Sequence, residues 1–438
     1  MIKKGIHYLK NQKQLHHFSI YGAGQFFNLV TPLLISPYII LTCGDANFGK
    51  TAVALSFIFF LIVFIDFGVD ILGVKSVAIY RNDPKKLEEV FRTTFGLRFF
   101  NLILVCFLVS FIFWFVPFFN QEKELYFFSL FVVLGQALNP IWFFQGVEFF
   151  KHITWVNLIS KFSFLLAVFA FIKTENQYIY VNLFWGLGMI LANSLALLWV
   201  VNKFGFKDLK PKKLDVLFQF RTQFSFFGSQ IFVSIQQYAP IVLISYFGSN
   251  VMAFQYRIIE QVINVFKTYI VLFFNFLFPR VCFLIEDDPQ KAIKTWGIYN
   301  GANLIFIILS MIFVFTWAEE IVIYFHVKEV SELAYYLKIA ALIPIFYTIS
   351  LAMKQLMLSK NLNRPYINIT ITLVAVSTLF LILVIPHFQL TGVLAVLLVT
   401  EFIFLVLFTY FAIKIITAYL INRTLSKSMD ITNPSNGY

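Results

Sequence analysis

Eleven ionisable side chains interrupt otherwise apolar runs of this sequence: Asp66, Asp70, Glu148, Glu260 and Glu401, with Arg98, Lys161, Arg221, Arg257, Lys267 and Lys338. An ionised group in hydrocarbon is costly, so each is expected to face a partner or a water-filled space. Arg257 and Glu260 are three residues apart and share a helix face. Lys267 follows ten residues after Arg257 on the same run. Arg257 and Lys267, with Arg98 and Arg221, could line a vestibule that attracts an anionic group. The planar guanidinium fork suits a pyrophosphate. A plainer reading stays open, in which Arg257 and Glu260 neutralise each other while Arg98 and Arg221 snorkel to an interface. Asp66 and Asp70, at i and i+4, could form a cation or proton site or pair with Lys75 or Arg81 at the surface. With Glu260 and Glu401 they are the candidates for ion coupling.

The elements that must carry these groups follow from composition. Of 438 residues 60% are hydrophobic and 13% charged, and mean hydropathy is +0.80. Soluble domains carry about 25% charged residues, which excludes a soluble enzyme, a disordered chain and a nucleic-acid-binding domain. A helix crosses a bilayer in about 20 apolar residues. Stretches of that length lie near 17–42, 51–73, 93–118, 125–149, 153–173, 178–202, 222–247, 251–280, 295–317, 334–357, 366–386 and 390–418. They lack the two-residue alternation of barrel strands. The fold expected is therefore an all-α membrane protein of about twelve transmembrane helices. With the N-terminus in the cytoplasm, 24 of the 34 basic residues fall in cytoplasmic segments and four on the other side, so both termini are expected to be cytoplasmic. Most of the net charge of +12 is thereby an orientation signal. The 58 phenylalanines are expected mainly to face lipid, an aromatic substrate slot being the other reading.

Other features are quieter. Cys43, Cys106 and Cys282 have no spacing that suggests a disulfide framework or zinc site. Asp287–Asp288 reads as a solvated turn, and no metal site is expected. The basic N-terminal segment does not resemble a cleavable signal peptide. No histidine lies deep in a predicted span.

A basic segment after the sixth span divides the chain. The expected organisation is an N-terminal six-helix lobe (1–203), a cytoplasmic linker (204–218), a C-terminal six-helix lobe (219–418) and a tail (419–438). Phe18 to Gly22 and Phe224 to Gly228 start the halves alike, and Pro32 and Pro240 follow. Equal, even numbers of spans imply a pseudo-two-fold axis along the membrane normal, a transporter arrangement.

Several segments resemble the bacterial O-antigen and polysaccharide flippases of the multidrug/oligosaccharidyl-lipid/polysaccharide exporter superfamily. They are Ile65-Asp66-Phe67-Gly68-Val69 with the Lys75 to Asp83 loop, and Asn139-Pro140 followed by Trp142, Gln145, Gly146 and Glu148. Thr154, Asn157 and Lys161 continue that signature, and Tyr256-Arg257 and Phe278-Pro279-Arg280 match a later span. The resemblance implies two six-helix bundles and alternating access. The implied cargo is an undecaprenyl-diphosphate-linked oligosaccharide, with the diphosphate on Arg257 and Lys267, joined by Arg98 and Arg221. It implies no enzyme activity and no cofactor, with coupling to an H+ or Na+ gradient left open. The partners implied are the lipid-linked oligosaccharide, the bilayer, and a polysaccharide polymerase and chain-length regulator, for a monomer in the inner membrane. Pro140, Trp142, Gln145, Gly146 and Glu148 are expected to shape their span. The alternative is a multidrug antiporter of the same superfamily. Such antiporters use a carboxylate in the first or seventh span, and those spans here have none.

Overall fold

The computed structural model describes Gly24, residues 27–360 and residues 362–432. Residues 17–23 of the first predicted span, and the repeated Phe18–Gly22 segment, lie outside them. All regular structure among the described residues is helical. In chain order the helices are α1 (Phe27–Cys43), α2 (Asp45–Asp66), α3 (Val69–Tyr80), α4 (Pro84–Phe115), α5 (Pro117–Asn120), α6 (Lys123–Ala137) and α7 (Ile141–Gly146). Then come α8 (Phe150–Phe171), a 3-10 turn (Glu175–Tyr180), α9 (Val181–Phe204), α10 (Lys213–Phe247), α11 (Asn250–Asp287) and α12 (Pro289–Thr316). The last are α13 (Ala318–Tyr324), α14 (Val330–Ala340), α15 (Leu342–Ser359) and α16 (Asn363–Thr432).

Each of the twelve predicted stretches is mostly helical where it is described. Among the described residues nine helical segments are long and apolar enough to cross a membrane. That figure takes Asn363–Ile415 once, although Gln389 breaks α16 with φ 49° and ψ −139°. Phe107, Phe111, Phe162 and Leu379 are all more than half exposed, which lipid tolerates and water does not.

Several predicted spans are interrupted, those at Val116 and Ala341 included, and the breaks in the second and fourth shape the first candidate site. The second breaks at Phe67 (φ 44°) and Gly68 (φ 85°), so α2 and α3 are separate helices. The left-handed backbone at Gly68 costs glycine little. The fourth breaks at Leu138–Pro140 because proline disfavours helical backbone in the residue before it. There Asn139 turns its side-chain oxygen to accept from the Ile141 amide at 2.9 Å.

The chain forms two compact units, Met1–Arg257 and Ile258–Tyr438. The boundary falls in α11 and not at the predicted 204–218 linker, which lies inside the first unit. Glu88 on α4 accepts from the backbone amides of Lys207 and Asp208, at 2.5 and 2.7 Å, and Arg92 pairs with Asp208. In the first unit α2 packs against α4, α6 and α10, and α9 packs against α6 and α8. Its core includes Ile58, Ile65, Val105, Phe113, Val132 and Val133, all buried. The α6–α9 approach depends on small residues, as is common between membrane helices. A Cβ on Gly186 would stand 2.4 Å from the Phe131 carbonyl carbon. In the second unit α15 packs along α16 and α12, around Leu277, Val281, Ile285, Leu356 and Ala412.

Two helices start by the same device. Asp83 caps α4 by accepting from the Lys86 amide (3.2 Å), ahead of Pro84; Asp288 caps α12 by accepting from the Lys291 amide (3.0 Å), ahead of Pro289. Proline at the first helical position lacks only an amide that would go unpaired anyway. Asp288, exposed between α11 and α12 as the solvated-turn reading has it, also caps a helix.

Candidate functional site

The break after α2 builds the first candidate site. Phe67 is buried and stacks on Phe220 (centroids 4.6 Å apart) and Phe227 (4.3 Å) of α10. Pinning Phe67 fixes the end of α2 and turns Asp66 toward α4. There Arg98 Nη2 donates to Asp66 Oδ1 at 2.7 Å and lies 3.6 Å from Asp70 Oδ1. Arg98 Nη1 donates to the Asn139 carbonyl at 2.6 Å. Gln136 Nε2 donates to both Asp66 oxygens at 3.1 and 3.0 Å, and Asn139 Nδ2 donates to Gln136 Oε1 at 3.2 Å.

This geometry changes two expectations. Asp66 and Asp70 do not share one helix face, because the helix ends between them; they converge because the break folds both toward Arg98. Arg98 is only 1% exposed, and its two terminal nitrogens are engaged by Asp66 and the Asn139 carbonyl. In this conformation it neither snorkels nor presents itself to an anionic ligand. The surface pairing with Lys75 or Arg81 is not what Asp66 adopts, and Arg81 pairs instead with Glu148 at 3.0 Å. Gln136 and Asn139 complete the site, and reasoning from ionisable residues alone missed them. The usable signal was the cost of Asp66 and Arg98 in apolar runs, which calls for buried partners.

The second candidate site lies in the second unit. Lys267 Nζ on α11 is 3.4 Å from Glu401 Oε1 on α16 and 5.1 Å from the Tyr347 ring centroid. Glu401 is buried, and Ser350 Oγ donates to its backbone carbonyl at 3.4 Å. The Lys267 side chain keeps 31% of its surface open. Nearby elements are tied by uncharged groups. Asn300 Nδ2 donates to Gln355 Oε1 at 3.0 Å, and Gln355 Nε2 donates to the Phe274 carbonyl at 3.4 Å.

The remaining candidates are placed as follows. Arg257 and Glu260 are half-buried, one turn apart on α11. Arg221 is exposed on α10. Trp142 of α7 is 1% exposed, against Phe91 and Phe95. Gly146 sits where a Cβ would approach Val77 Cβ to 2.5 Å, and Glu148, at φ 62°, holds the exposed pair with Arg81. Pro140 leads into α7 and Gln145 is half-buried on it. The signature segment thus docks α7 against α3 and sets the Asn139 carbonyl on Arg98. Among the described residues no three His, Cys, Asp or Glu side chains converge as a metal site, and the three cysteines are free.

The architecture matches known transporters. An inward-facing multidrug resistance MATE family transporter of the MOP superfamily superposes with a TM-score of 0.69 at 12% identity, covering 92% of this chain and 98% of its own. The lipid II flippase MurJ, in an inward closed conformation, superposes with a TM-score of 0.68 at 15% identity, covering 95% and 93%. These likenesses concern the fold. In sequence, a "putative O-antigen transporter" of Escherichia coli K12 is 20% identical over 266 residues, 61% of this chain and 64% of that protein. The chain thus spans just under two thirds of that relative's length. A protein of the same name from Shigella dysenteriae is 21% identical over 358 residues, 80% of this chain and 87% of its own. The family model described as polysaccharide biosynthesis protein matches residues 15–282. With several helices long and apolar enough to cross a membrane among the described residues, this chain belongs to the polysaccharide biosynthesis protein family and is similar in sequence to proteins named putative O-antigen transporter.

Proposed function

We propose that the protein flips an undecaprenyl-diphosphate-linked oligosaccharide across the inner membrane by alternating access, for O-antigen or other surface polysaccharide synthesis. The observation that carries this reading is Lys267. It is a cation on a membrane helix, steadied by the buried Glu401 yet one third open, with the half-buried Arg257 on the same helix. A diphosphate can displace a carboxylate from an ammonium because it brings more charge and more acceptor oxygens. Arg257 and Lys267 are the primary diphosphate ligands in this reading, and Arg221, exposed on α10, receives the head group. Arg98 joins only if Asp66 releases it.

Coupling to an H+ or Na+ gradient would run through Glu401 or Glu260, or through Asp66 and Asp70. The polysaccharide polymerase and chain-length regulator are the proposed partners of a monomer with both termini in the cytoplasm. A multidrug antiporter is the second reading, favoured by the MATE-like fold. The described part of α1 and the membrane part of α10 lack the carboxylate such a mechanism needs.

Deleting the gene should accumulate a lipid-linked oligosaccharide on the cytoplasmic leaflet. Arg257→Ala should insert normally and fail to restore surface polysaccharide. Full restoration by that variant removes the role given to Arg257, and no accumulation on deletion removes the flippase reading. Proteoliposome transport indifferent to both pH and Na+ gradients removes the coupling.

A further inference from the structure

Lys161 is the twelfth of the 22 residues of α8. It is about 16 Å from either helix end, further than a lysine side chain reaches, so it cannot snorkel. Arg98, Lys267 and Lys338 all have carboxylates within 4 Å. Among the described residues no carboxylate or hydrogen-bond acceptor partners Lys161. Its ammonium rests 3.8 Å from the centroid of Trp185 on α9. One turn earlier on α8, the half-buried Asn157 amide also makes no hydrogen bond. Thr154, Asn157 and Lys161 form a polar stripe, distinct from the exposed Trp155, Phe162, Leu166 and Phe169 of the same helix. Trp185 is flanked by Phe164 (5.1 Å) and Phe59 of α2 (5.8 Å), and Phe59 by Tyr238 of α10 (5.8 Å).

An unpaired intramembrane cation against an aromatic wall is poised for a ligand. We infer that Lys161, Asn157 and Trp185 form a subsite for a carboxylate-bearing sugar of the lipid-linked oligosaccharide. This rests on the flippase reading and deepens it by naming a class of glycan. The indole face packs on the apolar C–H face of a pyranose ring. The Asn157 amide serves a ring hydroxyl. A single ammonium matches a single carboxylate; a diphosphate would leave negative charge unmatched in an apolar surround, which is costly.

The test uses the full-length protein in proteoliposomes with two polyprenyl-diphosphate oligosaccharides, identical except that one carries a uronic acid and the other its carboxyl-reduced hexose. Wild type should move the acidic donor faster. Lys161→Met should slow the acidic donor about tenfold or more while changing the neutral one less than about twofold, and Lys161→Arg should keep the preference. Rates are taken per inserted protein, and Lys161→Gln gives the same reading if the apolar variant fails to insert. Equal loss on both donors, no loss on either, or a wild type without preference overturns the subsite. A wild type that moves neither donor overturns the flippase reading beneath it.

Discussion

Two intramembrane ion pairs among the described residues are built in opposite ways. Asp66–Arg98 is sealed: the guanidinium is almost wholly buried and the carboxylate is held by Gln136 as well. Lys267–Glu401 is half open: the acid is buried, while the base keeps a third of its surface and leans on Tyr347. The contrast is sharper because the surrounding chain is alike. Asp83-Pro84 and Asp288-Pro289 start α4 and α12 with the same cap, and fifteen residues after each cap stand Arg98 and Asn303. The equivalent place in α12 therefore has no charge, and the second unit puts its charges on α11 and α16. A sealed pair suits holding elements together; a half-open pair suits exchanging its counter-ion.

The strongest way to break this comparison is Asp66→Ala, which strands a buried guanidinium. It should cost about 3–5 kcal/mol in unfolding of the detergent-purified protein, and the Asp66→Ala/Arg98→Ala double variant should recover part of the loss. An unchanged midpoint would mean the pair is not sealed. Gly146→Ala acts on the same site through its frame, since the added methyl meets Val77. It should cost about 1–3 kcal/mol by thermal unfolding. Glu401→Gln leaves a cation that water can still reach. It should cost only about 1–2 kcal/mol, whereas Lys267→Ala should cut flipping about tenfold or more at similar stability. If Glu401→Gln is as destabilising as Asp66→Ala, the two pairs do the same job. The smallest effect is expected from Glu148→Gly. It loses the exposed Arg81 pair but relaxes a left-handed backbone, so the midpoint should stay within about 1 kcal/mol of wild type.

Much of the scaffold was legible because apolar run length alone marks a membrane helix, and every predicted stretch is mostly helical where it is described. The break at Phe67–Gly68 was not legible: the apolar pattern continues through it, and the strain is stabilised by aromatic rings more than 150 positions away, on α10. The individual charges of the first site were visible, but not their pairing. Asp66 and Arg98 are 32 positions apart, and the amide groups that join them sit 70 positions from Asp66. The Trp142 to Glu148 signature stood out in the sequence, yet only packing shows that it carries the Asn139 carbonyl to Arg98.

The break after α2 also sets a depth. Asp45–Tyr80 spans 36 residues, about 54 Å as one helix. Crossing about 30 Å of hydrocarbon would tilt such a rod by about 56°, beyond the range of about 0–40° seen for membrane helices. Broken at Asp66, α2 is 22 residues long, about 33 Å, close to the thickness of the bilayer. The short α3 then runs as a separate helix, packed against α4 and α7. Asp66, the last residue of α2, and Arg98 thereby meet where a rod of about bilayer length ends and the chain changes direction, so the sealed pair fixes the length of the helix that carries it.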